Sequence, residues 1–220
     1  GEYSALTASD IISDENTFRL VQRRGELMHR EASKNTGAMS AIIGLSIQSV
    51  ENLVRKGSES GVVSVANHNT EKQIVITGDP AAVQTVSKLA SDNGAKAIAL
   101  KVSGAWHSQL IQGAEEDYNH FLSSIEFRTP ATGIVSNVSA EIETDSDQIR
   151  ALMSRQLCSP VKWYDSMKCL ADEEIDIFVE IGPGKVLTGL LRKILPKEYP
   201  ASVYNINDLK TFETFLAGHD

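Results

Sequence analysis

Residues 37–103 read GAMSAIIGLSIQSVENLVRKGSESGVVSVANHNTEKQIVITGDPAAVQTVSKLASDNGAKAIALKVS, and the order of elements in this stretch decides the fold. An apolar run over 38–44 is short enough for a strand. Ser46 follows as an N-cap, Ile47, Val50, Leu53 and Val54 form a helical stripe, and Gly57 is placed to stop that helix. Two β-rich runs come next, at 62–66 and 73–77. Asp79 and Pro80 then read as N-cap and first residue of a helix that turns Val83, Val86 and Ala90 inward and stops at Gly94. A last strand over 96–102 completes the order β-α-β-β-α-β.

That order is ferredoxin-like. On its N-terminal side, 2–12 is helix-compatible, and Asp14 and Glu15 place negative charge at the start of a second helix running to about residue 32. Phe18, Val21, Leu27 and Met28 are expected on the inward face of that helix. On the C-terminal side, 108–122 reads as one helix, with Leu110, Ile111, Ala114, Tyr118, Phe121 and Leu122 on one face. Strand 133–138, helices 146–157 and 160–171, strand 176–181, helix 185–195, strand 202–206 and helix 208–217 complete the chain. Strands alternating with helices of this length imply an α/β domain with parallel strands. The simplest organisation is a discontinuous domain, 1–36 with 104–220, into which the small domain 37–103 is inserted.

Composition removes several function classes. With 220 residues, 41% hydrophobic and 23% charged, the chain is neither disordered, collagenous nor a coiled coil. The net charge of -8 argues against nucleic acid, and 37–103 holds no Phe, Tyr or Trp on which an RNA-recognition sheet could stack bases. Two cysteines, Cys158 and Cys169, make no disulfide framework, and no apolar run approaches a membrane span, so a cytoplasmic setting is the default expectation. The histidines His29, His68, His107, His120 and His219 are scattered, without metal-ligand spacing. No metal and no cofactor are expected.

Two loops could carry chemistry. Gly182-Pro183-Gly184-Lys185 follows a strand and opens a helix, where backbone N–H groups can face an anion. It matches neither a Walker loop nor a dinucleotide fingerprint, and a tight strand-to-helix turn is the better account of it. His107, in Gly104-Ala105-Trp106-His107-Ser108, stands between a strand end and a helix start. A histidine base needs a nucleophile, and the chain contains no Gly-x-Ser-x-Gly elbow.

Taken in order, many segments resemble the malonyl-CoA:acyl carrier protein transacylases and the related acyltransferases of fatty-acid and polyketide synthases. They are Gly1-Glu2-Tyr3-Ser4-Ala5-Leu6, Arg23-Arg24-Gly25-Glu26-Leu27-Met28, Gly37-Ala38-Met39, Asn67-His68-Asn69, Gln73-Ile74-Val75-Ile76-Thr77-Gly78, the His107 loop, Arg155-Gln156-Leu157 with Pro160-Val161, and Val179-Glu180-Ile181-Gly182-Pro183-Gly184-Lys185-Val186-Leu187. The resemblance implies an α/β-hydrolase-like domain with an inserted ferredoxin-like subdomain. It implies ping-pong malonyl transfer from malonyl-CoA to the phosphopantetheine thiol of acyl carrier protein through an ester on serine. The family elbow, Gly-His-Ser-x-Gly-Glu, ends on letters that match Gly1 and Glu2. The nucleophile is therefore expected two residues before Gly1, and a preceding segment of the same domain is expected to complete the sheet.

Carried over by position, His107 resembles the general base and Gln156 the residue whose main-chain carbonyl orients it. Arg24 resembles the arginine that holds the malonyl carboxylate, a task suited to a planar guanidinium. Trp106, where relatives often have Phe, is expected to narrow the pocket against α-branched acyl groups, and Gly1 and Glu2 to border the substrate. Lys185, Arg192, Lys193 and Lys197, with no Asp or Glu between 185 and 197, form a candidate docking face for an acidic carrier protein. Two other readings are an acyl hydrolase on the same fold and a non-catalytic carrier-binding fragment.

Overall fold

The computed structural model describes residues 1–218, so His219 lies outside the described residues. The chain divides into two compact units, Gly1–Ser166 and a second from Met167 on, each described here by itself. The elements run α1 (Glu2–Ala8), α2 (Asp14–Lys34), β1 (Ala38–Ile43), α3 (Ile47–Gly57), β2 (Val63–Thr70), β3 (Gln73–Gly78), α4 (Pro80–Asp92) and β4 (Lys96–Ala99). There follow α5 (Glu115–Ser123), β5 (Ile134–Val135), β6 (Ile142–Glu143), α6 (Ser146–Arg155), α7 (Trp163–Asp172), β7 (Ile177–Ile181), α8 (Val186–Ile194), β8 (Ser202–Ile206) and α9 (Leu209–Ala217).

The stretch that decides the fold forms an antiparallel sheet in the order β2-β3-β1-β4, the ferredoxin-like arrangement. Ser46 caps α3 by accepting from the Ser49 amide. Asp79 precedes Pro80 as anticipated but does not cap α4 with its side chain, because its carboxylate accepts from the Val62 amide at 2.7 Å. Alternation along the strands sends Ile42, Ile74 and Ile76 to one face, where Val50 and Leu53 of α3 and Val83, Val86 and Ala90 of α4 cover them. Met39, Ala41, Ala66 and Val75 form the opposite face, against which Trp106 packs.

The rest of the first unit is a second core. Leu6, Ile11, Leu20, Leu27, Tyr118, Leu122, Ile149, Met153 and Leu157 are buried together there. The stripe expected on α2 is displaced: Phe18 is 76% exposed and Val21 also faces solvent, whereas Leu20, Leu27 and Glu31 are buried. The inward face follows the i, i+4, i+7, i+11 series 20, 24, 27 and 31 and so includes Arg24 and Glu31. Burial raises the pKa of the Glu31 carboxyl, but bonds from Lys34 and Arg30 outweigh it, and the net shift is downward.

Three other expectations are corrected. The helix anticipated over 108–122 begins as a 3₁₀ segment, Gln109–Ala114, and becomes α-helical only at Glu115. Ser108 caps that start, and the Gly113 carbonyl accepts from Arg30 Nη2 at 2.7 Å. The strand over 133–138 shortens to β5, which pairs antiparallel with β6, a strand not anticipated at all. Six residues separate the two, too few for a parallel crossover. Parallel pairing between named strands is found in β7 with β8, in the second unit.

Gly37 sits where a side chain has no room, since a Cβ there would lie 2.2 Å from the Ala105 backbone nitrogen. The loop leading to Trp106 and His107 thus rests on bare backbone. Gly37→Ala is expected to cost about 1–3 kcal/mol through overpacking. A fall in Tm of a few degrees checks this, and an unchanged Tm contradicts the close contact.

Candidate active site

His107 occupies a turn that holds it in the left-handed region, φ 60°. For a residue with a Cβ this conformation costs about 1–3 kcal/mol and persists only when its surroundings over-determine it. Here they do. Ser108 Oγ donates to the Ala105 carbonyl at 2.7 Å and accepts from the Leu110 amide at 3.2 Å, closing the turn. Gly104 lies against Ala32 and the Trp106 ring, where a Cβ would come within 2.8 and 2.9 Å of them. Trp106 is half-buried between the two cores of the first unit.

The imidazole is held from the opposite side. His107 Nδ1–H donates to the Ser159 carbonyl at 2.9 Å, which leaves Nε2 as the proton-accepting nitrogen of the neutral ring. Burial pushes the His107 pKa below its ordinary 6.5 and the Arg24 charge pushes the same way, while the Ser159 and Gln156 carbonyls pull it back. The main chain of Gln156 therefore acts on His107, but the carbonyl hydrogen-bonded to its ring is that of Ser159, a residue that sequence reasoning did not single out.

The segment carrying Ser159 is fixed along its length. Val161 N–H donates to the Ala66 carbonyl at 2.8 Å and its own carbonyl accepts from His68 N–H at 2.9 Å, a parallel bridge onto the edge of β2. Lys162 N–H donates to the Asn137 carbonyl at 3.1 Å. His68 Nδ1 meets Asp165 at 3.2 Å, and its ring lies 4.7 Å from that of Tyr164.

The Gln156 side chain is 4% exposed and bonded at both ends. Tyr3 OH donates to its Oε1 at 2.9 Å, and its Nε2 donates to the Glu2 carboxylate. Since the Tyr3 proton is committed to Gln156, Tyr118 is the donor in the 2.5 Å contact between the two phenols. Burial pushes the Tyr3 pKa up to about 12 against the opposing Arg24 charge, and it raises Tyr118 as well. Both phenols are thus neutral donors at neutral pH. Nothing in the sequence periodicity distinguishes Tyr3 or Tyr118 from ordinary core positions.

Arg24 Cζ lies 5.8 Å from the centre of the Tyr3 ring. Its Nε is buried without a hydrogen-bond partner, and Arg24 enters no ion pair among the described residues. A buried donor left open on a cation is costly unless something anionic meets it. Glu2 does not do so: its oxygens accept from the Asn137 amide at 3.0 Å, from Asn137 Nδ2 at 2.9 Å and from Gln156 Nε2. Gly1 is exposed and stands at the N-cap of α1. One side of the first unit therefore unites a neutral imidazole with Nε2 accepting and an arginine open to a carboxylate.

The helix start after the glycine loop of the second unit is already occupied. The Glu180 carboxylate accepts from the Leu187 and Thr188 amides, at 3.0 and 2.8 Å, and so takes the N-terminal donors of α8. The helix start that follows the loop is therefore satisfied by the chain itself. Among the described residues no group of three or more His, Cys, Asp or Glu could hold a metal ion, and no helix is long and apolar enough to cross a membrane.

The acyl transferase domain family matches residues 1–211. A malonyl CoA-acyl carrier protein transacylase of Staphylococcus aureus (strain MSSA476) is 37% identical over 212 residues, 96% of this chain and 69% of that protein. Its Haemophilus influenzae counterpart is 37% identical over 217 residues, 98% of this chain and 70% of that protein. A solved structure of a malonyl-transacylase in complex with the holo form of a type II polyketide synthase acyl-carrier protein superposes with a TM-score of 0.93 at 35% identity. It covers 99% of this chain and 70% of that one. The chain belongs to the acyl transferase domain family, alongside the malonyl-CoA:acyl carrier protein transacylases.

Proposed function

We propose that the protein moves a malonyl group from malonyl-CoA to the phosphopantetheine thiol of acyl carrier protein, in fatty-acid or polyketide synthesis, by a ping-pong route through an ester on serine. The observation that carries this reading is Arg24, a half-buried arginine whose buried Nε has no partner and whose charge acts on His107. The nucleophile in this reading is the serine that the resemblance puts two residues before Gly1.

In the first half-reaction His107 Nε2 takes the serine proton as Oγ attacks the thioester carbonyl. The C–S bond then breaks, and the coenzyme A thiolate leaves with the proton returned by Nε2. In the second, His107 takes the proton of the carrier's thiol, whose sulfur attacks the seryl ester. The C–O bond breaks and Nε2 gives the proton back to serine. The Ser159 carbonyl does for the imidazole what a carboxylate does in a Ser-His-Asp triad: it selects the tautomer and aims Nε2. A carbonyl carries no full charge, so it stabilises the imidazolium less. Burial and the Arg24 charge, which push the His107 pKa down, outweigh that help and leave the base neutral below the pH at which a free histidine half-protonates.

Arg24 meets the malonyl carboxylate, Trp106 borders the acyl group beside the base, and Gly1 and Glu2 flank the nucleophile. Acyl hydrolysis on the same fold would need no such carboxylate partner. In the second unit Lys185, Arg192, Lys193 and Lys197 are exposed and outside any ion pair among the described residues, and they offer a basic face to an acidic carrier helix.

Two outcomes test the proposal. Arg24→Ala should lower kcat/KM for malonyl-CoA by about 10- to 100-fold, the worth of charged hydrogen bonds, and leave acetyl-CoA nearly unaffected. The same variant removes one of the two influences holding the His107 pKa down, so the acid limb of kcat/KM should move up toward 6.5. Equal losses on both substrates, or malonate released to water as fast as it is transferred, contradict the reading. Separately, Arg192→Glu with Lys193→Glu should raise KM for carrier protein several-fold at low salt and spare transfer to free pantetheine. An unchanged KM removes this face from docking.

A further inference from the structure

Arg24 and Glu2 are opposite charges beside the same two phenols. The Arg24 guanidinium lies over the Tyr3 ring, Glu2 precedes Tyr3 in α1, and both charges act on the hydroxyls of Tyr3 and Tyr118. Partly buried opposite charges that share neighbours attract each other, since a low dielectric strengthens the interaction. Here they do not pair. Arg24 Nε is unpartnered, while the Glu2 carboxylate is turned to three uncharged donors: the Asn137 amide, Asn137 Nδ2 and Gln156 Nε2.

Those donors are themselves anchored. The Asn137 carbonyl accepts from Lys162, and the Gln156 amide is oriented by Tyr3, whose hydroxyl accepts in turn from Tyr118. With its oxygen committed to Tyr3, Gln156 presents Nε2, and only Nε2, to Glu2.

We propose that Asn137 and the Gln156 side chain are positioning residues for substrate selection: by satisfying Glu2 they keep an internal carboxylate off Arg24, which stays open to the carboxylate of the incoming acyl group. This rests on the reading of Arg24 as the acyl-carboxylate site. A Glu2 released from its donors becomes a tethered competitor at high effective concentration. The loss would fall on dicarboxylic acyl groups and spare monocarboxylic ones. The Gln156 side chain thus acts on substrate choice while its main chain acts on His107.

The test follows the Arg24 Nε–H resonance by 1H–15N NMR, in the chain as it stands, with malonate as the probe. In the parent protein the resonance should be unpaired without ligand and move on adding malonate. In Gln156→Met, which keeps the main-chain carbonyl and most of the volume, it should already be shifted before malonate is added. The malonate Kd should then rise about tenfold, the scale of coupling between interacting neighbours. Asn137→Ala should act in the same direction, and adding Glu2→Gln to either variant should return both shift and Kd toward the parent values. A ligand-free resonance unchanged in both single variants overturns the inference, as does a weakened Kd that Glu2→Gln does not restore, which marks a merely structural loss. A parent resonance that ignores malonate overturns the reading of Arg24 instead, and the ligand-free shift in Gln156→Met still decides whether Glu2 is being held away.

Discussion

The bond from His107 Nδ1–H to the Ser159 carbonyl is the constraint on which the first unit's site is arranged. A histidine at φ 60° would relax if free, and an imidazole with no fixed acceptor would populate both tautomers. Both are prevented by holding the two partners separately. The His107 turn is closed by Ser108 and rests on Gly37 and Gly104, while the Ser159 segment is tied to the edge of β2 through Val161, to Asn137 through Lys162 and to His68 through Asp165. The ferredoxin-like sheet thus helps to position the site: its edge strand receives the segment and its open face receives Trp106.

Charge is distributed to the same end. Two cationic and two anionic side chains on or near the inward face of α2 and α1 are handled differently. Arg30 and Glu31 satisfy each other, with Lys34, Asp117 and the Gly113 carbonyl completing the set. Glu2 is satisfied by amides, and Arg24 is left open. A buried Nε–H without a partner reduces stability, and the Arg24 charge lowers the proton affinity of His107. Both effects fit the proposed site, an anion held beside a neutral base.

Where local chemistry and tertiary structure agree, the sequence was readable. The β-α-β-β-α-β order, the cap at Ser46, the helix start at Pro80, and the inward stripes of α3 and α4 follow from turn residues and periodicity, because that sheet buries a simple apolar face. The inward face of α2 was not readable, since half of its positions are Arg24 and Glu31, and hydropathy pointed instead to the exposed Phe18. The resemblance brought His107, Arg24 and Gln156 to attention, but not Ser159, whose contribution is a backbone oxygen and leaves no mark on residue type. Tyr3, Tyr118 and Asn137 escaped for a related reason, since their roles depend on contacts across more than a hundred residues of chain. The 182–185 loop shows the reverse: it has the look of an anion site, but it leads into a helix start whose Leu187 and Thr188 amides Glu180 already uses.

The account is tested most directly by the ring-nitrogen 15N shifts of His107 at neutral pH. It predicts a single neutral tautomer, protonated at Nδ1, with Nε2 unprotonated. A ring protonated at Nε2, or an even mixture of tautomers, would show that the Ser159 carbonyl does not hold the imidazole, and the proposed base would then lack the nitrogen it needs.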